Sequence, residues 1–372
     1  RLVDPAMHLL SNGTLNLACD SFGRSRLWLT HGHEEVELRP RDTGASQDRE
    51  GSFCLYVELP GQSPRLISGG LAVMSEDEVP CNREVTFWPH KVETQTHLGD
   101  LAMQEEIFIA AHDNVEIRRL RVTNEGEEAL SIGLTGYADI SIQRAEEHHR
   151  HPAFSRLFLQ THALEGGRTL ICERRPRGPG ERFPVVAQVV LAHDSAERGC
   201  KWETSRSSFI GRGASLASPQ WPARVGGKAK EGHVLDAGLA QKIELTLEAG
   251  ESQSVAWVTA VGIDEERALD LLAPYSNHSS LPGAHDQSAR AMAKRLSQFQ
   301  LTPPAVATCQ RLLSLLVHRS QRRPRGPALR RLLWGHGVSG SLPILILHRR
   351  SEDLTLVQQL LRAQRFFAAQ NH

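Results

Sequence analysis

The sequence predicts a mainly β protein, a large antiparallel β-sandwich, that continues into helices. Through roughly the first 260 residues apolar side chains alternate with polar ones, which places one face of each strand in a core and the other in water. Turn-forming residues punctuate these runs, and no helical window separates them. Helical spacing of apolar residues begins near Asp264. So many consecutive strands are expected to pack as a sandwich.

The strand prediction rests on two segments in which the alternation is strict. Apolar side chains occupy every second position from 53 to 59, and nearly every second position from 101 to 109. In the second segment Glu105 is the only polar residue on the apolar face. Alternation with a period of two is typical of antiparallel sheets with one buried face.

Three hairpins are predicted, at residues 9–17, 115–134 and 243–257. The first contains an Asn-Gly pair, which tolerates the positive φ angles of a type I′ turn, while the second turns at Asn-Glu-Gly and the third at a glycine. In the second hairpin Ile117 and Leu120 fall on opposite parities of the alternation, which predicts a β-bulge between them.

Helices are predicted after the strands. Asp264 is an N-cap for a short helix through Leu272, and a second helix is expected over residues 286–299 after a polar stretch. Thr302-Pro303 is a helix start, with a capping hydroxyl and proline at the first helical position. The apolar face of that helix is predicted to be Leu312, Leu313, Leu315 and Leu316.

A last helix is predicted near the end of the sequence. Ser351 is its expected N-cap. Its buried stripe is predicted from helical spacing to be Leu354, Val357, Leu360 and Leu361.

Composition excludes two classes of partner. The chain has 43 Lys and Arg against 43 Asp and Glu, so its formal net charge is zero, which argues against nucleic-acid or anionic-membrane binding by bulk charge. No apolar run approaches the roughly 18 residues that span a bilayer, which predicts no membrane helix in this chain. The six cysteines are scattered and are expected to be free thiols in a reducing, cytoplasmic compartment. Both ends are expected to be cut, since the chain starts at Arg1 and stops within a helical pattern.

Three clusters could carry chemistry. His148, His149 and His151 invite a metal site, but adjacent residues point in different directions, so a solvated loop is favoured. Residues 318–350 contain eight arginines and no carboxylate, which fits either a phosphate site or a solvated basic face. Within that stretch residues 334–340 are rich in glycine and include a tryptophan, a pattern that suits close backbone approach to a sugar ring.

Seven short motifs follow one another along the chain. They are Leu10–Gly13, Val85–Lys91, Asn114–Arg119 with Val122–Asn124, His151–Phe158, Arg174–Arg177, Phe209–Gly213 and Leu333–Gly340. Together they resemble one family, the phosphorylase-type region of cyclic β-1,2-glucan synthases in glycoside hydrolase family 94. The resemblance covers nearly the whole chain.

The resemblance implies a fold with an N-terminal β-supersandwich, a helical linker and the start of an incomplete (α/α)6 barrel. The corresponding domains are expected at residues 1–262, 263–301 and 302–372. The family is also expected to need no cofactor: inorganic phosphate is a co-substrate that cleaves a β-glucosidic bond with inversion and releases α-glucose 1-phosphate. One carboxylic acid must protonate the leaving oxygen.

The resemblance also implies a substrate loop, and this sequence departs from the family within it. The expected binding residues are Trp334, His336, Ser339, Gly340 and Ser341. Ser341 stands where the family has an aspartate, so it can hydrogen-bond a sugar hydroxyl but cannot supply a charged acceptor. The family's Asp-Trp-Asn-Asp motif, which carries the catalytic acid, does not occur in the sequence, so no catalytic residue is assigned.

Three hypotheses follow. The chain is part of a glycoside phosphorylase-like region that acts on β-glucan, is inactive alone, and lies on the cytoplasmic side of the inner membrane within a membrane-bound synthase. Alternatively, it is a non-catalytic carbohydrate-binding β-sandwich. A third reading is a degenerate remnant without function.

Overall fold

The chain folds into three antiparallel sheets followed by helices. The computed structural model describes residues 6–31, 34–39, 53–70, 81–144, 156–192, 200–221, 229–320 and 354–369, together with residues 147, 335 and 337. The strands of this described part are β1 (Met7–Ser11), β2 (Leu15–Asp20), β3 (Ser25–His31), β4 (Glu34–Arg39), β5 (Phe53–Glu58), β6 (Arg65–Ser68), β7 (Cys81–Trp88), β8 (Lys91–Leu98), β9 (Leu101–Ile109), β10 (Val115–Asn124), β11 (Leu130–Asp139), β12 (Gln143–Arg144), β13 (Leu159–Leu164), β14 (Thr169–Arg174), β15 (Val185–Ala192), β16 (Lys201–Ser205), β17 (Gly232–His233), β18 (Ala237–Leu247) and β19 (Ser252–Gly262).

The strands form sheets of five, nine and five strands. Sheet I has the order β1-β2-β3-β4-β12, sheet II the order β17-β13-β14-β15-β19-β10-β9-β8-β7, and sheet III the order β16-β18-β11-β5-β6. Neighbouring strands in these sheets pair in antiparallel fashion. The predicted fold class, mainly β with helices after the strands, is therefore confirmed.

The first predicted hairpin is confirmed, with a different turn. Strands β1 and β2 pair with Ser11 opposite Asn16. Only Gly13 in the intervening turn has a positive φ, of 104°, whereas a type I′ turn needs two such residues. The turn is held instead by the Asn12 side chain, because its Oδ1 accepts hydrogen bonds from the backbone N–H groups of Thr14 and Leu15.

The second and third predicted hairpins are wrong, because each connection passes from one sheet to another. β10 lies in sheet II and β11 in sheet III, and β18 and β19 are divided in the same way. The Asn124 side chain fastens both connections together: its Nδ2 donates to the carbonyls of Glu128, Leu247 and Glu248 at 2.8, 3.1 and 3.2 Å. Local alternation cannot distinguish a hairpin from a sheet crossover, since both read as strand, turn and strand.

The predicted β-bulge in β10 is also wrong. The strand pairs with β9 and β19 in unbroken register. Ile117 faces an outer apolar cluster and Leu120 faces the central core, and both are buried. The change of parity therefore reflects a strand buried on both faces, whose inward positions also hold Glu116 and Arg118.

The inward-facing charges form a buried cluster between the sheets. Arg118 donates to Glu116 at 2.7 Å, lies 3.6 Å from Glu105 and stacks its guanidinium 4.2 Å from the Phe53 ring centroid. Arg39 of β4 pairs with the other carboxylate oxygen of Glu116. Burial works to raise the pKa of Glu116, but Arg39 and Arg118 hold it below its ordinary value. The lone polar position noted in the sequence, Glu105, therefore belongs to a charge cluster that joins sheets I and II.

Apolar packing forms one central core and a separate layer outside each sheet. The central core, between the inner faces of the three sheets, includes Leu17, Leu55 and Trp257. A second cluster covers one part of the outer face of sheet II and a third lies on sheet I. The outer face of sheet III is covered by Phe209 and its neighbours, with the rings of Tyr137 and Phe209 stacked 4.3 Å apart.

Five α-helices lie in the described residues: α1 (Arg206–Ile210), α2 (Glu265–Leu272), α3 (Leu281–Gln298), α4 (Pro303–Ser320) and α5 (Thr355–Ala368). The predicted cap of α2 is confirmed, since the Asp264 carboxylate accepts from the backbone of Arg267 at 2.8 Å. The predicted start of α4 is confirmed as well. Helix α3 begins five residues earlier than predicted, because Pro282 lies in its first turn, where a proline is tolerated.

Half of the predicted buried stripe of α5 is wrong. Val357 and Leu360 are partly buried, and Leu360 packs against the apolar cluster on sheet I. Leu354 and Leu361 are about half exposed, whereas Ala363, Phe366 and Phe367 are buried against α3, α4 and sheet I. The expected cap, Ser351, lies outside the described residues, as do the side chains of Leu313, Leu315 and Leu316. The aromatic pair decides which face of the helix is buried, since it is larger than the leucines that the pattern favoured. The division into domains at residues 262 and 301 stays a prediction.

Five cysteines in the described residues are free thiols, as predicted. Cys19, Cys54 and Cys172 are completely buried. Burial raises the pKa of Cys19 to about 12, so its thiol is protonated and unreactive at neutral pH.

Candidate functional site

The predicted substrate loop lies largely outside the described residues. This holds for every predicted binding residue, Trp334, His336, Ser339, Gly340 and Ser341. Within the loop the structure describes Gly335 and Gly337, and Gly337 has a φ of 71°, a conformation that favours glycine. The sugar-binding role of the loop therefore stays a prediction.

The other candidate clusters are placed in part. The histidines at 148, 149 and 151 and the arginines of the basic stretch beyond residue 320 lie outside the described residues. Of the described residues, no group of three or more His, Cys, Asp or Glu could hold a metal ion. Arg174 is also expected from its neighbouring prolines and glycines to lie in an exposed turn, and that expectation is wrong. It is buried, donates to the Ile142 carbonyl at 3.0 Å and stacks on the Phe183 ring.

The Leu10–Gly13 motif lies where the sandwich joins the helices. The Asn12 side chain donates to the carbonyl oxygens of Ala110 and Asp113 at 3.2 and 2.7 Å, which joins the β1–β2 turn to the β9–β10 turn. Arg295 of α3 donates to the carbonyls of Ser11 and Asn12 at 3.1 and 2.6 Å. The Tyr275 hydroxyl donates to the Asp113 carboxylate at 2.7 Å. These bonds fix α3 and the segment around Tyr275 on two turns of the sandwich.

Two histidines at this junction are held neutral. His8 of β1 stacks on the Phe87 ring with 5.2 Å between centroids, and burial lowers its pKa to about 4. His90 packs edge-on against His285 of α3, and burial, with a smaller influence from the neighbouring His285, lowers the pKa of His90 to about 4. Neither imidazole is positively charged at neutral pH, so neither supplies an acid there, and both act here as packing groups.

Asp139 has the raised pKa that a general acid requires. Burial raises it above the ordinary range, against the influence of two arginines. Arg156 lies 3.5 Å and Arg206 lies 3.8 Å from its carboxylate oxygens. Because the carboxyl group is engaged by both guanidinium groups, its contacts fasten β11 to α1 and assign it no role in catalysis.

A polar surface occupies the outer face of β7 to β10. We call it the Trp88 face and define it as Trp88, Lys91, Glu93, Gln104, Glu106 and Arg119. Glu93 and Glu106 lie directly opposite each other on neighbouring strands, an arrangement that repulsion disfavours. Lys91 Nζ lies between them, 2.7 Å from Glu93 and 2.6 Å from Glu106. Arg119 donates to Glu106 at 3.0 Å, and Gln104 donates to Glu93 at 3.1 Å.

The electrostatics of the Trp88 face follow from these pairs. Burial works to raise the pKa of Glu93 and of Glu106, but Lys91 holds both below the ordinary value. Arg119 lowers the pKa of Glu106 further. At neutral pH the two carboxylates and two cations are all charged and sum to zero. Trp88, at one end, is 46% exposed.

A cavity of about 690 Å³ lies on another side of the molecule, between residues 58–64 and 213–220. Its polar lining includes Gln62, Ser63 and Gln220, and one wall is formed by Gly213, from the predicted Phe209–Gly213 motif. Glu58, also in the lining, is paired with Lys242. No exposed aromatic ring lines this cavity among the described residues.

Comparison with known proteins assigns the family. The model of the glycosyl hydrolase 94 supersandwich domain matches residues 2–278. The chain belongs to that family. It is also 28% identical, over 93% of its length, to the cyclic beta-(1,2)-glucan synthase NdvB of Rhizobium meliloti strain 1021. The resemblance predicted from the motifs is therefore confirmed, and the chain spans 13% of the length of that synthase.

The solved structures that match this chain have low sequence identity and low structural similarity to it. A bacterial glucoamylase complexed with acarbose has a TM-score of 0.49 and 8% identity, covering 82% of this chain and 39% of the glucoamylase. A putative kojibiose phosphorylase from the human microbiome has a TM-score of 0.44 and 8% identity, covering 82% of this chain and 38% of the phosphorylase. Likeness at this level carries no argument about function. In the described residues no helix is long and apolar enough to cross a membrane.

Sequence reasoning missed the Trp88 face, although the Val85–Lys91 motif contains its tryptophan. Positions 91, 93 and 95 are the less buried side of β8 in the structure, and they were not singled out from the sequence. The missing information was the register, because only the pairing of β8 with β9 brings Glu93 opposite Glu106.

Proposed function

We propose that this family 94 chain forms part of a region that cleaves β-1,2-glucan with inorganic phosphate. The observation that carries the proposal is the similarity to a cyclic β-1,2-glucan synthase along 93% of the chain, together with the family match. In the proposed reaction phosphate oxygen bonds to the anomeric carbon, the glycosidic carbon–oxygen bond breaks with inversion, and the leaving oxygen takes a proton. The products are α-glucose 1-phosphate and a shortened glucan.

The proposed contacts to substrate lie in the loop around Trp334. Its indole ring would stack on a glucosyl ring, and His336, Ser339, Gly340 and Ser341 would hydrogen-bond its hydroxyls. No cofactor is part of the proposal. A cytoplasmic location, beside the inner membrane if the chain is joined to a synthase, belongs to the same proposal, as does the expectation that the chain alone is inactive.

The proposal is tested by exchanging the matching region of the Rhizobium meliloti synthase for this chain and assaying glucose 1-phosphate from β-1,2-gluco-oligosaccharides and phosphate. We expect release from the exchanged protein and none from the isolated chain. Trp334→Ala should reduce release and Ser341→Asp should increase it. Indifference to both substitutions contradicts the loop assignment, and release by the isolated chain contradicts its inactivity.

Carbohydrate binding without chemistry is the second candidate function. The observation that favours it is the Trp88 face, which combines an exposed indole with fixed hydrogen-bonding groups on a sheet. The described residues provide no carboxyl group that we can assign as the general acid. Binding and phosphorolysis are separable, because binding is measured in the absence of phosphate.

A further inference from the structure

The outer face of β7 and β8 is not covered by the apolar cluster that lies on another part of sheet II. The outer apolar cluster of this sheet draws its residues from β9, β10, β14, β15 and β19 and from helices α2 and α3. It contains no residue of β7 or β8. The side chains on the outer side of β7, at positions 82, 84, 86 and 88, are all exposed. In the described part of the chain, therefore, the β7 side of the Trp88 face is open to solvent, whereas Glu106 of β9 is buried.

The polar groups on this face form two cross-strand rows. One row is Thr86, Glu93, Glu106 and Arg119, and the next is Glu84, Gln95, Gln104 and Arg121. Four neighbouring strands span roughly 14 Å at the usual strand spacing. A surface of this width suits several linked sugar units better than one.

The charge balance of the face selects a neutral ligand. Lys91 and Arg119 are matched by Glu93 and Glu106, so an anion or a cation would meet repulsion from one member of each pair. Neutral hydroxyl groups can both donate to the carboxylates and accept from the guanidinium and amide groups. The ion pairs also hold these side chains in place, which lowers the ordering cost of binding.

Trp88 supplies the apolar part of the recognition. It stands at the end of β7, paired across the turn with Lys91, and nearly half of its surface is open. The flat apolar face of a pyranose ring can stack on an exposed indole, while the ring hydroxyls reach outward to polar neighbours. An exposed aromatic beside a fixed polar network is the combination that a neutral polyhydroxylated chain requires.

We propose that the Trp88 face is a binding surface for neutral β-glucan chains, separate from the predicted loop around Trp334. One sugar ring stacks on Trp88, and following units lie across Lys91, Glu93, Gln104, Glu106 and Arg119. This inference rests on the proposed function in one respect, the choice of a β-1,2-linked glucan as the probe. Binding here requires neither phosphate nor a catalytic acid.

The experiment is calorimetric titration of the full chain with β-1,2-linked glucohexaose in phosphate-free buffer. We expect Trp88→Ala to weaken binding about tenfold, the loss that corresponds to one aromatic contact. Trp88→Phe should recover part of that loss, because a smaller aromatic ring still stacks. Gln220→Ala, in the cavity lining, is the matched control and should bind like the wild-type chain. Circular dichroism establishes that each variant keeps its strands.

Three outcomes overturn the inference: no binding of glucohexaose by the wild-type chain, unchanged binding by Trp88→Ala, or loss of binding in Gln220→Ala instead. Titration with β-1,4-linked glucohexaose separates the two proposals. If that ligand binds as tightly and still depends on Trp88, the face is supported while the β-1,2 preference of the proposed function is not. Phosphorolysis without any effect of Trp88→Ala on binding supports the proposed function and contradicts the face.

Discussion

Gln310 and Leu9 exchange two hydrogen bonds, although they are 301 positions apart in the sequence. The Gln310 carboxamide oxygen accepts from the Leu9 backbone at 3.1 Å, and its nitrogen donates to the Leu9 carbonyl at 2.9 Å. Leu9 lies on β1, the edge strand of sheet I. A glutamine side chain from α4 thus takes the place of a neighbouring strand and satisfies an edge that would otherwise need water or another chain.

Replacing Gln310 should destabilise the protein. Gln310→Leu leaves the buried amide and carbonyl of Leu9 without partners, so we expect the free energy of unfolding to fall by about 2–3 kcal/mol. Urea unfolding followed by circular dichroism measures it. Gln358→Leu, on the exposed side of α5, is the control and should change stability by less than about 0.5 kcal/mol. Equal effects of the two substitutions would contradict the role given to Gln310.

The buried charge cluster should tolerate the loss of its carboxylate poorly. Glu116→Gln leaves Arg39 and Arg118 buried with less compensation, and we expect a loss of about 3–5 kcal/mol in unfolding free energy. Glu244→Gln, which breaks an exposed pair with Lys201, should cost no more than about 1 kcal/mol. Chemical unfolding of both variants at pH 7 makes the comparison, and similar losses would rule out a special role for burial.

The same carboxylate predicts a dependence on acid. The folded pKa of Glu116 is held below its unfolded value, so its contribution is complete above pH 4.5 and is lost as pH falls through the folded pKa. The urea concentration at the unfolding midpoint of the wild-type chain should therefore decrease as the pH is lowered below 4.5. In Glu116→Gln the midpoint should decrease less steeply with falling pH. A dependence on pH as steep as that of the wild-type chain would assign the effect to other groups.

His8 should make stability depend on pH in a higher window. Its folded pKa, about 4, lies below the ordinary value of 6.5, so the unfolded chain binds more protons between these values and stability rises with pH across them. The complete change from this residue is about 3 kcal/mol. His8→Phe keeps a ring against Phe87 but cannot titrate, so the slope between pH 4 and 6.5 should decrease. Urea midpoints at five pH values measure it, and an unchanged slope would contradict the prediction.

Two adjacent glycines, both with positive φ, differ in the space around a side chain and so offer a test of packing. Gly166 and Gly167 both have positive φ, of 66° and 91°. A Cβ on Gly166 meets nothing within 4 Å, whereas one on Gly167 would lie 1.7 Å from the Trp202 ring. Gly166→Ala should cost about 1 kcal/mol from backbone strain alone. Gly167→Ala should cost about 3 kcal/mol or more, since Trp202 must move. Thermal unfolding compares them, and equal losses would mean that Trp202 yields freely.

The strands and helix starts could be predicted from the sequence, because they depend on local patterns. The alternation at 101–109 and the Asp264 cap both appear as predicted. What failed depended on contacts between distant segments. β18 pairs with β11 and β16 rather than with β19, and Phe366 is buried among Phe299 and residues of sheet I. A local pattern can reveal neither contact.

The candidate site was predictable only as a list of motifs. The Val85–Lys91 motif indicated the family. Trp88 becomes part of a candidate binding surface only because the strand pairing places Glu93 and Glu106 on the same face of the sheet. Glu105 could be identified as unusual on its apolar face. Its partner Arg118 could not, because the bulge wrongly predicted between Ile117 and Leu120 left the direction of the Arg118 side chain undefined. A pattern shows which positions differ from their neighbours, and only the strand register shows which of them meet.

The position of β19 in sheet II has a consequence for biosynthesis. This strand lies between β15 and β10, so it joins two groups of strands that precede it in the chain, β7–β10 and β13–β15. During translation β10 ends at residue 124 and β19 ends at residue 262. At ordinary rates of synthesis that interval lasts roughly 7 to 28 seconds. The edge of β10 stays open for all of this interval, and the edge of β15 is added when that strand ends at residue 192. For roughly the last 4 to 14 seconds the nascent chain therefore carries two unpaired strand edges that β19 later closes, and such edges are templates for pairing with another chain.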